Sequence, residues 1–291
     1  MLKSRLCIAF FAFAVGCAPA QKPLTDYVNP MLGTAWDSVD LGFKPTKRTW
    51  GAEVFPGSSL PNAMVQVSPV TKFHSGAGYQ YEDSVIYGFT HTNKGHWNLC
   101  HIPLLPVTGT PTPGDYCSPF SHERESAAPG YYQVFLDRYG VDAQLSSTLR
   151  CAFHKYTYPA GAAASLLADL QRSNEHVRAW DIRKEGDNVF AGWQQTGEKM
   201  YFYAVANRPV TGIEPVVEGD REVRIVRFGE GDGALELRIG FSFVSEKNAR
   251  ENLEAEMLGK SFAEVRSEAT ATWNDLLGRI RVEGGTEREK G

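Results

Sequence analysis

Leu235-Glu-Leu-Arg-Ile-Gly-Phe-Ser-Phe243, followed at once by Val-Ser-Glu-Lys-Asn-Ala-Arg-Glu-Asn-Leu253, holds both periods on which the fold rests. In the first half Leu235, Leu237, Ile239, Phe241 and Phe243 share one face, and Glu236, Arg238, Gly240 and Ser242 share the other. A repeat of two is the signature of a strand with one side in a core. At Ser245 the repeat changes. Ala249, Leu253 and Met257 recur every four residues, which is the stripe of a helix. The stretch predicts a β domain that passes into helix near residue 245.

Upstream, the strand pattern continues. Cys151, Phe153, Lys155 and Thr157 take one face of a run that ends at Pro159, with Ala152, His154, Tyr156 and Tyr158 on the other. Gly130 to Val141 reads as a hairpin in which Tyr132, Val134 and Leu136 alternate, and Ala143 to Leu149 alternates as well. Ala163–Leu170, Val189–Trp193, Met200–Ala206 and Glu222–Phe228 read as further strands. Met64, Val65 and Val67 begin a strand that should stop at Pro69, and residues 24–34 read as an opening strand closed by Gly33. Short alternating runs between turn residues signal a large antiparallel sandwich. Downstream, Gly259 breaks the first helix. Ser261-Phe-Ala-Glu264 is a capping-box candidate for a second, with Val265, Ala269, Trp273 and Leu276 as its stripe and Gly278 as its stop.

The 291 residues, 42% apolar, suffice for a sizeable core. A net charge of −4 and the absence of a basic run argue against nucleic acid as a partner. The N-terminus reads as a targeting segment: Lys3 and Arg5, then an apolar stretch from Leu6 to Val15, too short to span a bilayer. Ala14-Val15-Gly16-Cys17 resembles a lipoprotein site, with Cys17 as the lipidated residue and a membrane anchor as the result. Ala18-Pro19-Ala20 competes as an ordinary cleavage site before Gln21. Either way the protein is exported, to the periplasm or the cell surface. The predicted organisation is a signal over 1–20, a β-sandwich over 21–245 and a helical linker over 246–291. Cys100, Cys117 and Cys151 form an odd set without a C-x-x-C pair, so free thiols are expected rather than a zinc site.

Between Gly88 and Gly109 lies a loop that crowds His91, His96 and His101 with Trp97, Asn93 and Asn98. Loops on a rigid scaffold carry binding groups. An indole face covers the C–H groups of a sugar, while imidazole and amide meet its hydroxyls. Trp97, His96 and Asn98 together therefore read as a sugar platform. Taken singly, His91 and His101 read better as locally hydrogen-bonded core groups, and Trp97 with its neighbours reads equally as a half-buried indole that closes one end of the sandwich. Asp83, Asp115 and Glu123 have no spacing that argues for a catalytic pair and read as turn and surface acids.

Five stretches, in order, resemble the N-terminal domain of glycoside hydrolase family 92 α-mannosidases. They are Tyr27-Val-Asn-Pro-Met-Leu-Gly-Thr34, Phe55-Pro-Gly-Ser-Ser-Leu-Pro-Asn62, Gly88-Phe-Thr-His-Thr92, Pro129-Gly-Tyr-Tyr132 and Ser245-Glu-Lys-Asn-Ala-Arg-Glu-Asn-Leu253. The resemblance implies a bacterial, exo-acting, calcium-dependent and inverting enzyme acting on mannose-containing glycans. In that architecture a β-supersandwich is joined by a helical linker to an (α/α) barrel. It also implies that the barrel supplies both carboxylates and the Ca²⁺ ligands, so this chain carries no catalytic or metal residue and no catalysis alone. What carries over is a cleft wall: His91, His96, Trp97 and Asn98, with Phe55, Gly57 and Ser58 as a second loop. The run Asn93-Lys-Gly-His-Trp-Asn-Leu-Cys-His101 departs from the Gly-rich, acidic loop common in the family, which bears on the linkage preferred. A stand-alone glycan-binding surface module is the alternative. Such a module would not need the two terminal helices.

Overall fold

The computed structural model describes residues 22–39, 48–51, 54–94, 98–280, 284–286 and 289. Two antiparallel sheets face each other. One has eight strands in the spatial order Glu125–Ala128, Tyr131–Leu136, Val141–Ser147, Cys151–Thr157, Leu235–Ser242, Lys199–Ala206, Val189–Gln195, Ala179–Gly186. The other has seven: Val210–Glu218, Arg221–Phe228, Ser165–Ala168, Leu104–Val107, Gly88–Thr90, Gln66–Val70, Ser58–Ser59. This is the expected sandwich, and the alternations sort as their period dictates except at their ends, where Phe243 and Leu149 are exposed. Leu235, Leu237, Ile239 and Phe241 enter the core between the sheets, as do Ala152 and Tyr156.

The opposite faces do not go to water. Cys151 and Phe153 form a second apolar cluster with Leu253, Met257, Phe262 and Val265, which belong to two helices on the outer side of the eight-stranded sheet. These are α1, Glu246–Glu256, and α2, Phe262–Leu277. Gly240 lets α1 approach: a Cβ there would lie 2.1 Å from the Ala249 carbonyl oxygen. Arg238, on the same face, donates to the Lys260 carbonyl and lies over the Phe153 ring. Ser245 caps α1 by accepting from the Asn248 N–H. Ser261 and Glu264 form the predicted capping box on α2. Val265 and Ala269 of the α2 stripe are buried, and the Trp273 indole donates to the Ser59 carbonyl at 2.7 Å. The helices are thus tied to both sheets.

Several local expectations need correction. Leu24–Tyr27 is a turn of 3-10 helix followed by a turn closed at Gly33 (φ 84°), not an opening strand. A second 3-10 turn, His122–Arg124, also precedes the helices. Pro69 does not end its strand; Gln66–Val70 continues through it, with Pro69 opposite Phe89. Two edge strands, Ala179–Gly186 and Val210–Glu218, left no apolar alternation in the sequence because only Ile182 in the one and Val210 in the other are buried.

Candidate functional site

At one end of the sandwich the chain crosses from Gly88–Thr90 to Leu104–Val107 through a hairpin, Asn93–Lys94 paired with Asn98–Leu99. Here the backbone is unusual. Leu99 (φ 65°), Cys100 (φ 59°) and Ile102 (φ 57°) are all left-handed without being glycine. For β-branched Ile102 this is a real outlier, and each such residue costs of order 1–3 kcal/mol. Hydrogen bonds hold the distortion. The Leu99 carbonyl accepts from the Asn174 N–H and the Ser173 hydroxyl, the Ile102 N–H donates to Gln194 Oε1, and the Cys100 N–H donates to the Thr92 carbonyl. Gln194 is itself fixed by donating to the Leu170 and Arg172 carbonyls.

Two hydrogen-bond chains run beneath the hairpin. In the first, His91 Nδ1 must donate, because its partner is the Ile102 carbonyl. Neutral His91 then accepts at Nε2 from His154 Nε2 at 2.9 Å, and neutral His154 accepts at Nδ1 from the Tyr156 hydroxyl. All three side chains are fully buried. Burial accordingly lowers His91 to about 3 and drives His154 well below the ordinary histidine value, while it pushes the Tyr156 hydroxyl up.

In the second chain Thr92 Oγ1 accepts from the His101 N–H and donates to His101 Nδ1. His101 Nε2 donates to Thr196 Oγ1, which donates to Glu175. Burial lowers His101 to about 4, although the Glu175 carboxylate pulls the other way. This chain leads from the interior to a half-exposed acid on the surface.

The side chains expected on the cleft wall divide. His91 is fully buried, and so is Ser58, whose hydroxyl meets that of Ser147 at 2.7 Å. Both are corrections: neither side chain reaches the surface, because each satisfies its polar atoms inside. Gly57 is needed for packing, since a Cβ there would meet the Val67 carbonyl oxygen at 2.1 Å. Phe55 is half-buried. Asn98 lies on the returning strand of the hairpin, opposite Lys94. His96 and Trp97 lie outside the described residues.

The sequence reading passed over His154, Gln194, Thr196 and Glu175, which join the hairpin to the opposite sheet. For His154 a signal existed, because alternation set it on the core face beside Ala152 and Tyr156. Asp83 accepts from Thr71, and Asp115 pairs with Arg138 on the surface. The most enclosed acids are others. Glu125 is held by Tyr79, Tyr132 and His122, and Asp169 by Tyr116 and Arg221. Cys100, Cys117 and Cys151 are free. Among the described residues no group of three or more His, Cys, Asp or Glu is placed to hold a metal ion.

The profile of the glycosyl hydrolase family 92 N-terminal domain matches residues 27–252. The chain belongs to glycosyl hydrolase family 92. The profile of the family's catalytic domain takes over at residues 248–291, so it includes most of α1 and all of α2. A family 92 α-mannosidase of Bacteroides thetaiotaomicron is similar in structure, with a TM-score of 0.81 and 25% identity over 93% of this chain. A family 92 inverting mannosidase of the same organism shares the fold, with a TM-score of 0.77 and 24% identity over 92% of the chain. An uncharacterized secreted glycosidase of Arthroderma benhamiae is 24% identical over 89% of the chain. The chain spans only 38% of that relative and 39% and 38% of the two solved enzymes.

Proposed function

We propose that this chain forms the glycan-facing wall of an exported α-mannosidase that acts on mannose-containing glycans with inversion. The observation that carries this is the match of residues 27–252 to the family 92 N-terminal domain, together with the likeness to a solved α-mannosidase. The strained hairpin is the part of the wall best suited to meet substrate. Strain of this kind persists only where surrounding structure holds it, and it clusters at ligand sites. Asn98, the neighbouring Trp97 and His96, and Phe55 are the groups this reading places against sugar.

Inversion requires an acid at the leaving oxygen and a base for water on the opposite face. The enclosed acids Glu125 and Asp169 are spent on tyrosines and basic side chains, so the reading assigns both roles to the catalytic domain. The reading places calcium on that domain as well. The secreted description of the fungal relative supports export. An anchor at Cys17 would hold the enzyme at a membrane.

Aryl α-mannoside hydrolysis tests the reading. The 291-residue chain is expected to show no turnover with Ca²⁺ present. The same chain continued through a family 92 catalytic domain is expected to release β-mannose, read by the anomeric proton signal. Turnover by the chain alone, or release of another sugar by the continued one, would overturn it.

A further inference from the structure

Beside the strained hairpin lies an open cleft of about 1230 Å³. It is larger than the roughly 300–1,000 Å³ of ordinary small-molecule sites. Its walls come from three segments, Thr71–His74, Glu82–Tyr87 and Gln171–Trp180, with Asp220 and Arg221 at one end. Two of these segments brace the hairpin or each other. Ser173 and Asn174 bond the Leu99 carbonyl, and the left-handed His74 (φ 57°) is pinned to Asn174 through its backbone N–H and its Nδ1. A wall held this way is ordered before a ligand arrives, which lowers the cost of binding.

The lining has three kinds of group. Phe73, Tyr87 and Trp180 offer half-exposed aromatic surface. Arg172 and Arg221 are fixed donors. Arg172 sits 5.3 to 5.7 Å from the ring centres of Tyr87, Phe73 and Tyr116, and Arg221 donates to the buried Asp169 at 2.7 Å. Lys72, Arg178 and His176 are exposed, with no side-chain hydrogen bond or ion pair among the described residues.

Charge decides the ligand class. The cleft has four permanent cations, Lys72, Arg172, Arg178 and Arg221. Against them stand Glu82, Asp83, Glu175 and Asp220 in the lining. Asp169 lies directly beneath the two arginines, with its Oδ1 buried and unpartnered. Four positive charges against five negative leave no field to draw an anion. Many donors and acceptors without net positive charge, set among aromatic faces, match a neutral polyhydroxyl ligand: hydroxyls both give and take hydrogen bonds, and C–H faces pack on rings.

We propose that this cleft is a second sugar-binding site, built for a neutral oligosaccharide arm of a glycan whose terminal residue meets the neighbouring hairpin. The site has room for more than one sugar unit. The part played by the hairpin rests on the α-mannosidase reading; the sugar site itself does not.

Calorimetric titration of the full chain tests both parts. The probes are linear α-mannotetraose, maltotetraose, chitotetraose and inorganic sulfate. The double variant Lys72→Ala/Arg178→Ala removes two exposed side chains without touching the core. Trp180→Ala, with Trp180→Phe as the variant that keeps the ring, removes an aromatic face. The expected result is binding of α-mannotetraose, weakened at least ten-fold by the double variant and by Trp180→Ala, and largely kept by Trp180→Phe. Binding of maltotetraose or chitotetraose with the same variant losses, but not of α-mannotetraose, upholds the sugar site and sinks the mannoside reading. The proposal is overturned if no sugar binds, if the double variant binds as well as the parent, or if sulfate binds more tightly than any sugar.

Discussion

His91 and His154 share one hydrogen bond in a dry interior, and that ties stability to pH. Their folded values lie below the ordinary histidine value, as does that of His101 at about 4. Between pH ~6.5 and these depressed values, the unfolded chain binds protons that the folded chain refuses. Stability therefore falls as pH drops through this window and is fully present above it. The expected outcome in urea melts at pH 7, 6 and 5 is a steadily lower midpoint. His154→Phe should flatten the slope by up to one proton, even if it lowers stability throughout. An unchanged slope would mean that the pair is already charged in the fold. Asp169, raised by burial, acts with the opposite sign, so the loss of slope in His154→Phe is the reading that belongs to the histidines. Thiols offer a second reading at this scale. Burial pushes Cys100 up to about 12 and raises Cys151, whereas Cys117 is half-exposed. Of these three, only Cys117 should react with iodoacetamide in the native chain, with the other two following unfolding; mass mapping of the modified peptides decides it.

At the scale of elements, the strained hairpin depends on Gln194, which comes from the opposite sheet. Gln194→Ala removes the acceptor of the Ile102 N–H and the donor to two carbonyls. Leaving buried backbone groups unpaired costs about 1–3 kcal/mol. Chemical denaturation should show that loss, and hydrogen exchange should show faster exchange at Ile102. If stability holds, water has replaced the amide. The seat of α1 is a second case. Leu253 enters the outer cluster from above Gly240. Leu253→Ala should cost about 2–5 kcal/mol through a cavity. Gly240→Val should free α1 from the sheet, raising protease cleavage between residues 245 and 260 ahead of the strands. Cleavage spread evenly over the chain would contradict that order.

Across the whole molecule, the helices close the outer face of the eight-stranded sheet instead of projecting from it. That makes them part of this domain's stability, even though the catalytic-domain profile begins at residue 248. The alternation of Leu235–Phe241 and Cys151–Tyr156 was legible because a strand sorts its side chains by turns, whatever its partners are. The stripes of α1 and α2 and the capping box were legible for the same local reason. The edge strands Ala179–Gly186 and Val210–Glu218 were not, because an edge that faces water needs no apolar period. Order of motifs along the chain sufficed for the family. Which side chains face a ligand was another matter. His91 and Ser58 lie in the motifs that carried the resemblance, yet both point inward. Conversely, the cleft draws Lys72, Arg178 and Trp180 from segments that no motif joined. Local periodicity and chain order are properties of neighbours in sequence, and they determined the sandwich, the helices and the family. The cleft, the histidine pair and the left-handed turn at Leu99–Ile102 depend on groups brought together from distant strands, because burial and hydrogen bonding act through space; only the tertiary structure decided them.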